Sequence, residues 1–185
     1  GREIVHRTPI QVKSVDVSLA FQPTAELAET FTVFWTGPNN KNGYIDLVKA
    51  NHHATYGEIS YFYLKNSPES GELLAPVEPG DYQVRFVMEG ADGRKVVASS
   101  PIAIQPTAAT LNVPTTAAAG SSIEVKWTGP NRKGDYVDLM PINKNTLHSE
   151  ITYFYTNDYP EKGTLVMPEQ PGHYKIRYVI QGGKR

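Results

Sequence analysis

Trp35-Thr36-Gly37-Pro38-Asn39 occurs a second time as Trp127-Thr128-Gly129-Pro130-Asn131, with similar residues on both sides of each copy. A shift of 92 residues aligns the rest of the chain on this pentapeptide without a gap. It carries Pro9-Ile10 to Pro101-Ile102, Tyr44 to Tyr136, Asp46 to Asp138 and Glu58-Ile59 to Glu150-Ile151. Further along it carries Tyr61-Phe62-Tyr63 to Tyr153-Phe154-Tyr155, Pro79-Gly80 to Pro171-Gly172, Tyr82 to Tyr174 and Arg85 to Arg177. About a third of the aligned positions are identical, which is duplication of one unit rather than shared composition. The 185 residues therefore divide into two units of about 90 residues each. The first repeat spans 14–105 and the second 106–185, and residues 1–13 form an extended strand equivalent to the last strand of a preceding repeat. The junction at 105–107 is very short, so limited bending between the units is expected rather than free tumbling.

Each unit reads as all-β. Phe31, Val33 and Trp35 alternate with polar residues, which places all three on one face of a strand and turns that face to a core. Ile123 and Val125 keep this face apolar in the second copy. Ile45 and Leu47 lie on one side of the next strand, with Tyr44 and Asp46 on the other. Residues 58–64 are rich in aromatic and β-branched types. Tyr82, Val84, Phe86 and Met88 face one way and Gln83, Arg85 and Val87 the other, and Asp92-Gly93 then signals a hairpin into a returning strand over 94–104. Residues 2–12 are expected to be extended, with Pro9 suited to an edge or a bulge, and Val15, Val17 and Leu19 to form a strand. The Ala25-Glu26-Leu27-Ala28 run could hold one helical turn. Fourteen prolines and fifteen glycines break the chain too often for long helices. About seven short strands per unit point to two tandem β-sandwiches.

The 92-residue register leaves the ends unmatched. Gly1-Arg2 aligns with Gly93-Arg94, and 182–185 stop inside the corresponding turn, so the second unit lacks a strand equivalent to 96–104 and its strand 174–180 has an unpaired edge. Two explanations are open: a parent protein with further repeats or tail, or self-association in which residues 3–12 complete the second unit of a neighbouring molecule.

Composition narrows the functional classes. There is no cysteine, which removes disulfides, thiol nucleophiles and Cys-ligated zinc. The net charge is −1 with acids and bases interspersed, so no nucleic-acid partner is expected. No apolar run approaches the roughly 20 residues that span a bilayer, so direct membrane insertion is not expected. Asn51-His52-His53 becomes Asn143-Lys144-Asn145 in the second copy, and with no third ligand evident it reads as a solvated loop rather than a metal site. No nucleophile elbow, phosphate loop or zinc motif occurs, and Glu58 and Glu150 have no partner carboxylate at a readable spacing. Neither an enzyme nor a cofactor is expected.

The residues kept in both copies and pointing away from the core are the candidates for contact with a ligand or partner: Tyr44, Asp46, Tyr61, Tyr63 and Arg85, with Tyr136, Asp138, Tyr153, Tyr155 and Arg177. The bland alternative for Asp46 with Arg85, and for Asp138 with Arg177, is a cross-strand ion pair worth roughly 0.2–1 kcal/mol. Tyrosines on a sheet face stack on sugars or peptide side chains, although strand propensity alone also enriches them.

Pro79-Gly80-Asp81-Tyr82 and Pro171-Gly172-His173-Tyr174 resemble the tyrosine corner of immunoglobulin-like and fibronectin type III sandwiches, in which the hydroxyl bonds backbone across the corner. The wider pattern runs from Trp-Thr-Gly-Pro-Asn through Tyr-Ile/Val-Asp, Tyr-Phe-Tyr and Pro-Gly-x-Tyr-x-Ile/Val-Arg to Arg-x-Val-Val-Ala-Ser-Ser-Pro-Ile. It resembles the tandem Ig-like repeats of bacterial exported proteins, often on chains that also carry a von Willebrand factor A domain. A fainter similarity is to the SKICH domain, another Ig-like sandwich. The first resemblance implies a non-catalytic module for protein binding or spacing in an exported, multi-repeat protein that is secreted, periplasmic or on the bacterial cell surface. A carbohydrate-binding or enzyme-accessory module using the Tyr-rich sheet face is the alternative.

Overall fold

A computed structural model describes residues 1–182. The chain is all-β, apart from two single-turn 3-10 segments, Leu64–Asn66 and Thr156–Asp158, at equivalent places in the two repeats. The first repeat holds β1 (Ser18–Ala20), β2 (Thr24–Glu26), β3 (Thr30–Thr36), β4 (Tyr44–Lys49), β5 (Ser60–Tyr63), β6 (Ser70–Leu74), β7 (Gly80–Gly90) and β8 (Gly93–Gln105). One sheet has the order β1-β3-β6 and the other β2-β8-β7-β4-β5, in which β2 runs parallel to β8 and the other pairs are antiparallel. The second repeat holds β9 (Thr110–Asn112), β10 (Ser122–Thr128), β11 (Tyr136–Pro141), β12 (Thr152–Tyr155), β13 (Lys162–Val166) and β14 (Tyr174–Val179). Its sheets are β9-β10-β13 and β12-β11-β14.

The alternation of each strand explains the packing. Phe31, Val33 and Trp35 from β3 meet Ile45 and Leu47 from β4 and Tyr82, Val84 and Phe86 from β7, so the first core lies between the two sheets. Val125, Trp127, Val137, Leu139, Phe154 and Leu165 form the second core in the same way. The Trp35 ring meets Phe86 edge-on at 5.6 Å, and its indole Nε1 donates to the Ser67 carbonyl at 3.0 Å. Trp127 Nε1 donates to the Tyr159 carbonyl at 3.2 Å. Both tyrosine corners are present: the Tyr82 hydroxyl donates to the Glu78 carbonyl and that of Tyr174 to the Gln170 carbonyl, each at 2.9 Å. With this strand order and these corners, the chain is two tandem immunoglobulin-like β-sandwiches.

One glycine pair shows how tightly the sheets approach. A Cβ on Gly71 in β6 would stand 2.5 Å from the Phe62 ring, and Gly163 in β13 faces Phe154 in the same manner. Gly71→Ala is expected to cost about 1–3 kcal/mol, because the ring must leave its place in the core. Urea unfolding of the variant checks this; an unchanged midpoint would contradict the contact.

Two local expectations differ from the structure. Residues 1–17 contain no strand, and β1 is only Ser18–Ala20, the stretch that faces Phe34–Trp35–Thr36 of β3. Alternation in 2–12 is present, yet a strand is marginal without a ladder partner, and none lies beside these residues among those described. The run at 25–28 holds no helical turn: Ala25 pairs with Ile104 through the parallel β2–β8 ladder and is buried there. The hairpin expected at 92–93 forms, with a bulge that leaves Val97 of β8 unpaired opposite Phe86/Val87; Val87 stays on the outer face, opposite Tyr44, and is buried there. The turn expected at 182–185 lies largely outside the described residues.

Four residues separate β8 from β9, at 106–109. Glu26 of the first repeat accepts from Arg132 of the second at 3.0 Å.

Candidate binding surface

The outer face of the β8-β7-β4-β5 sheet is built from residues that the alternation excludes from the core. Asp46 on β4 lies directly opposite Arg85 on β7. The guanidinium closes on the carboxylate in bidentate fashion, Nε to Oδ1 at 3.0 Å and Nη2 to Oδ2 at 2.7 Å. Its remaining nitrogen, Nη1, donates to the Ala54 carbonyl at 2.6 Å and the His52 carbonyl at 3.4 Å. Gln83, two residues before Arg85 on the same face, donates to the Ala50 and His52 carbonyls at 3.2 and 3.1 Å. Tyr44 donates to the Thr55 carbonyl at 2.7 Å. Together these side chains fasten the loop 50–59 over the sheet.

That loop changes what the ion pair is. The Arg85 and Asp46 side chains are 2 % and 0 % exposed, so the pair is a buried clamp and not the solvent-facing pair its position on the outer face suggests. Burial pushes the Asp46 carboxyl up, against the Arg85 guanidinium that pulls it down. The hydrogen bonds to Asp46 raise Arg85 further above its ordinary value. Paired this way, both groups are spoken for.

The second repeat reproduces the device at the same register. Arg177 on β14 binds Asp138 on β11 through Nε at 3.0 Å and Nη2 at 2.5 Å, and its Nη1 donates to the Thr146 carbonyl at 3.1 Å, the counterpart of Ala54. Tyr136 donates to the Leu147 carbonyl at 3.4 Å, and Lys175, in the place of Gln83, reaches Asn145 Oδ1 at 2.7 Å. Here the Arg177 side chain is 21 % exposed.

Above the clamp the tyrosines form a cluster. Tyr44, Tyr61 and Tyr63 meet edge to face, with centroids 5.4–6.4 Å apart. Tyr136, Tyr153 and Tyr155 repeat the arrangement at 5.5–6.4 Å. Their exposure differs. Tyr44 and Tyr136 are buried, and Tyr61 is half-buried. Tyr63, Tyr153 and Tyr155 are exposed, with the Lys65 ammonium 5.5 Å above the Tyr63 ring. The ten residues singled out by the repeat are therefore brought together in two clusters, but Asp46, Arg85 and Asp138 present no surface, and Tyr44 and Tyr136 present little.

Tyr44 carries a pH consequence. Burial, with the Glu58 charge next in size, pushes its phenol up from 10.0 to about 12. The folded state thus holds this proton more tightly than the unfolded chain. The associated stability is complete below pH 10 and is lost as pH rises from there to about 12. At neutral pH, Tyr44→Phe should cost about 1 kcal/mol for the lost bond to Thr55. The gap between variant and wild type should narrow above pH 10, followed by tyrosinate absorbance and urea unfolding at each pH. A gap constant across that range would contradict the assignment.

One buried polar grouping is not evident from alternation. Asp135 is fully buried and stands where the first repeat has Gly43. Its Oδ2 accepts from the Arg132 amide and the Tyr178 hydroxyl, and its Oδ1 from the Gln181 amide, each at 3.0 Å. Tyr178 in turn stands where the first repeat has Phe86, and its hydroxyl oxygen accepts from the Asn131 amide at 2.9 Å. The signal was the paired change between copies, Gly to Asp and Phe to Tyr: a carboxylate introduced into the interior arrives with its donor.

His52 lies in the clamped loop, with Nε2 2.5 Å from the Tyr56 carbonyl, and among the described residues no group of three or more His, Cys, Asp or Glu is placed to hold a metal. No helix among them is long and apolar enough to cross a membrane.

No protein-family model and no curated protein matches the chain. Solved structures similar to it include a two-domain fibronectin type III segment of chicken tenascin, at 14% identity over 90% of this chain and 98% of that one, with a TM-score of 0.33. The titin domains Z1Z2, solved in complex with telethonin, match at 14% identity over 93% of this chain and 92% of that one, with a TM-score of 0.33. A marsupial T cell receptor matches at 9% identity over 92% of this chain and 68% of that one, with a TM-score of 0.32. These low scores add nothing to what the strand order and the corners already establish.

Proposed function

We propose that the chain is a non-catalytic tandem module that binds protein and spaces its neighbours within an exported, multi-repeat bacterial protein, at the cell surface or in the periplasm. The observation that carries the reading is the duplicated tyrosine cluster on a clamped loop-and-sheet platform. Both Asp46 oxygens and every Arg85 nitrogen are occupied in holding that platform, which leaves them no role in proton transfer. The exposed rings of Tyr63, Tyr153 and Tyr155 are the groups offered to a partner. Rigid aromatic side chains of this type give large contact area at low entropic cost. Edge-to-face packing favours protein over sugar, because a sugar stacks best on a flat, open ring face and here neighbouring rings stand across one another. The exported setting rests on the Trp-Thr-Gly-Pro-Asn and Pro-Gly-x-Tyr-x-x-Arg blocks and their resemblance to bacterial exported repeats.

The test is a parallel screen of wild type and a variant with Tyr61→Ala, Tyr63→Ala, Tyr153→Ala and Tyr155→Ala, on a display library of bacterial envelope-protein segments and on a glycan array. Binders in the protein arm that weaken tenfold or more in the variant are expected, since aromatic anchors each contribute upwards of about 1 kcal/mol. Glycan binding that vanishes in the variant would instead establish the carbohydrate reading.

A further inference from the structure

Each sandwich finishes one of its sheets on a short strand at the rim. In the first repeat this strand is β5, which pairs with β4 alone, and in the second it is β12, which pairs with β11 alone among the described residues. The position is set inside each repeat, because the 3-10 turn that follows the strand carries the chain across to β6 or β13 in the facing sheet. The backbone of β12 has two distinct sides. The Thr156 amide donates to the Asp135 carbonyl directly opposite, so in an antiparallel ladder Phe154 and Thr156 turn their N–H and C=O towards β11. Tyr153 and Tyr155 turn theirs towards the rim.

The two rims are guarded differently. Beside β5, Lys65 holds its ammonium 5.5 Å over the Tyr63 ring, a charge of the kind that keeps edge strands from pairing. Asn157 stands in its place beside β12, and no charged residue occurs from Ile151 to Asn157. Tyr159, exposed, stands where the first repeat has Ser67 and packs edge-on to Phe154 at 5.7 Å, on the face of β12 opposite to Tyr153 and Tyr155.

We propose that β12 pairs antiparallel with β12 of a second copy of this chain, about a two-fold axis at Phe154. What selects this occupant is that the rim is complementary to itself. The two-fold sets Tyr153 of each molecule opposite Tyr155 of the other, and these are the residues whose N–H and C=O point outwards, so each pair exchanges both of its backbone hydrogen bonds. Their rings then lie side by side on the outer face as aromatic cross-strand pairs, with Tyr159 flanking the joint on the inner face. No like charges meet across the axis. Because the same patch serves both molecules, the contact closes at a dimer. A ladder of four residues buries little surface, so the pairing is weak and reversible.

Tyr155 has φ −76° and ψ 133°, which proline adopts without strain, and its N–H faces the rim. Tyr155→Pro therefore removes one rim donor and keeps the fold, while Tyr155→Val removes the ring and keeps the donor; circular dichroism verifies both. Sedimentation of the full 185-residue chain from about 10 μM to about 1 mM should show monomer and dimer in exchange. Dimerisation is expected to weaken about tenfold or more in Tyr155→Pro, less in Tyr155→Val, and not at all in Tyr63→Pro on the rim of the first repeat. Should the proline variant unfold, the parent chain still decides. Its Tyr153 and Tyr155 amides should exchange about threefold more slowly at the highest concentration than at the lowest, with the Tyr63 amide unchanged. A chain monomeric throughout, growth beyond a dimer, equal dimerisation in Tyr155→Pro, or protection absent from Tyr153 and Tyr155 would each overturn the proposal. No other protein enters these measurements, so their failure is distinct from a failure of tyrosine-mediated binding to a partner.

Discussion

Arg85→Ala is expected to destabilise the first repeat by about 3–5 kcal/mol, a large part of the 5–15 kcal/mol that a domain has in total. The loss is large because of what remains. Without the guanidinium, the fully buried Asp46 carboxylate has no counter-charge, and the Ala54 carbonyl loses its donor. Truncating one partner of an exposed pair costs little, and burial reverses that. Arg177→Ala should therefore cost less than Arg85→Ala, since the Arg177 side chain is 21 % exposed and water can reach the site. Replacing Asp46 and Arg85 together by apolar residues should recover most of the loss from the charges but not the anchoring of the loop. Chemical unfolding of the three variants checks the order, and equal losses at Arg85 and Arg177 would contradict the burial argument.

Trp35→Ala carries the second large effect. The indole is 7 % exposed, stands edge-on to Phe86 and donates to the Ser67 carbonyl, so truncation removes a large ring from the centre of the sandwich and leaves a carbonyl unpaired. A loss of about 3–5 kcal/mol is expected. The chain has two tryptophans, one in each repeat, so fluorescence distinguishes the domains. In Trp35→Ala the remaining signal from Trp127 should unfold at its wild-type denaturant concentration while circular dichroism shows the first repeat lost earlier. A Trp127 transition that moves with the mutation would mean the repeats unfold as one unit.

Much of this architecture is legible from alternation. Phe31, Val33 and Trp35 are buried because a two-residue period on β3 leaves them no other side. The same rule puts Asp46 and Arg85 on one face, and the 92-residue repeat shows that the pairing is kept. What alternation does not show is whether a second layer covers that face. The loop 50–59 contains little apolar residue, and its closure depends on carbonyls meeting Arg85, Gln83 and Tyr44, donors that are distant in sequence. Hence the clamp reads from sequence as an exposed ion pair. The N-terminal alternation misleads for the opposite reason: Ile4, Ile10 and Val12 have strand-like spacing, but a strand exists only where another strand meets it. Asp135 escaped because a lone acid beside a turn is ordinary, and only its coupling to the Phe86-to-Tyr178 change marks it as interior.

The central claim is that the polar residues repeated on the outer face form a buried clamp that fixes a loop. Side-chain hydrogen exchange of the Arg85 Nε proton, followed by nitrogen-resolved NMR, tests this most directly. A proton enclosed between Asp46 and the covering loop should exchange at least tenfold more slowly than that of Arg177, and slower still than those of the exposed arginines in residues 1–17. Arg85 exchange as fast as theirs would show the pair open to water and would contradict the account.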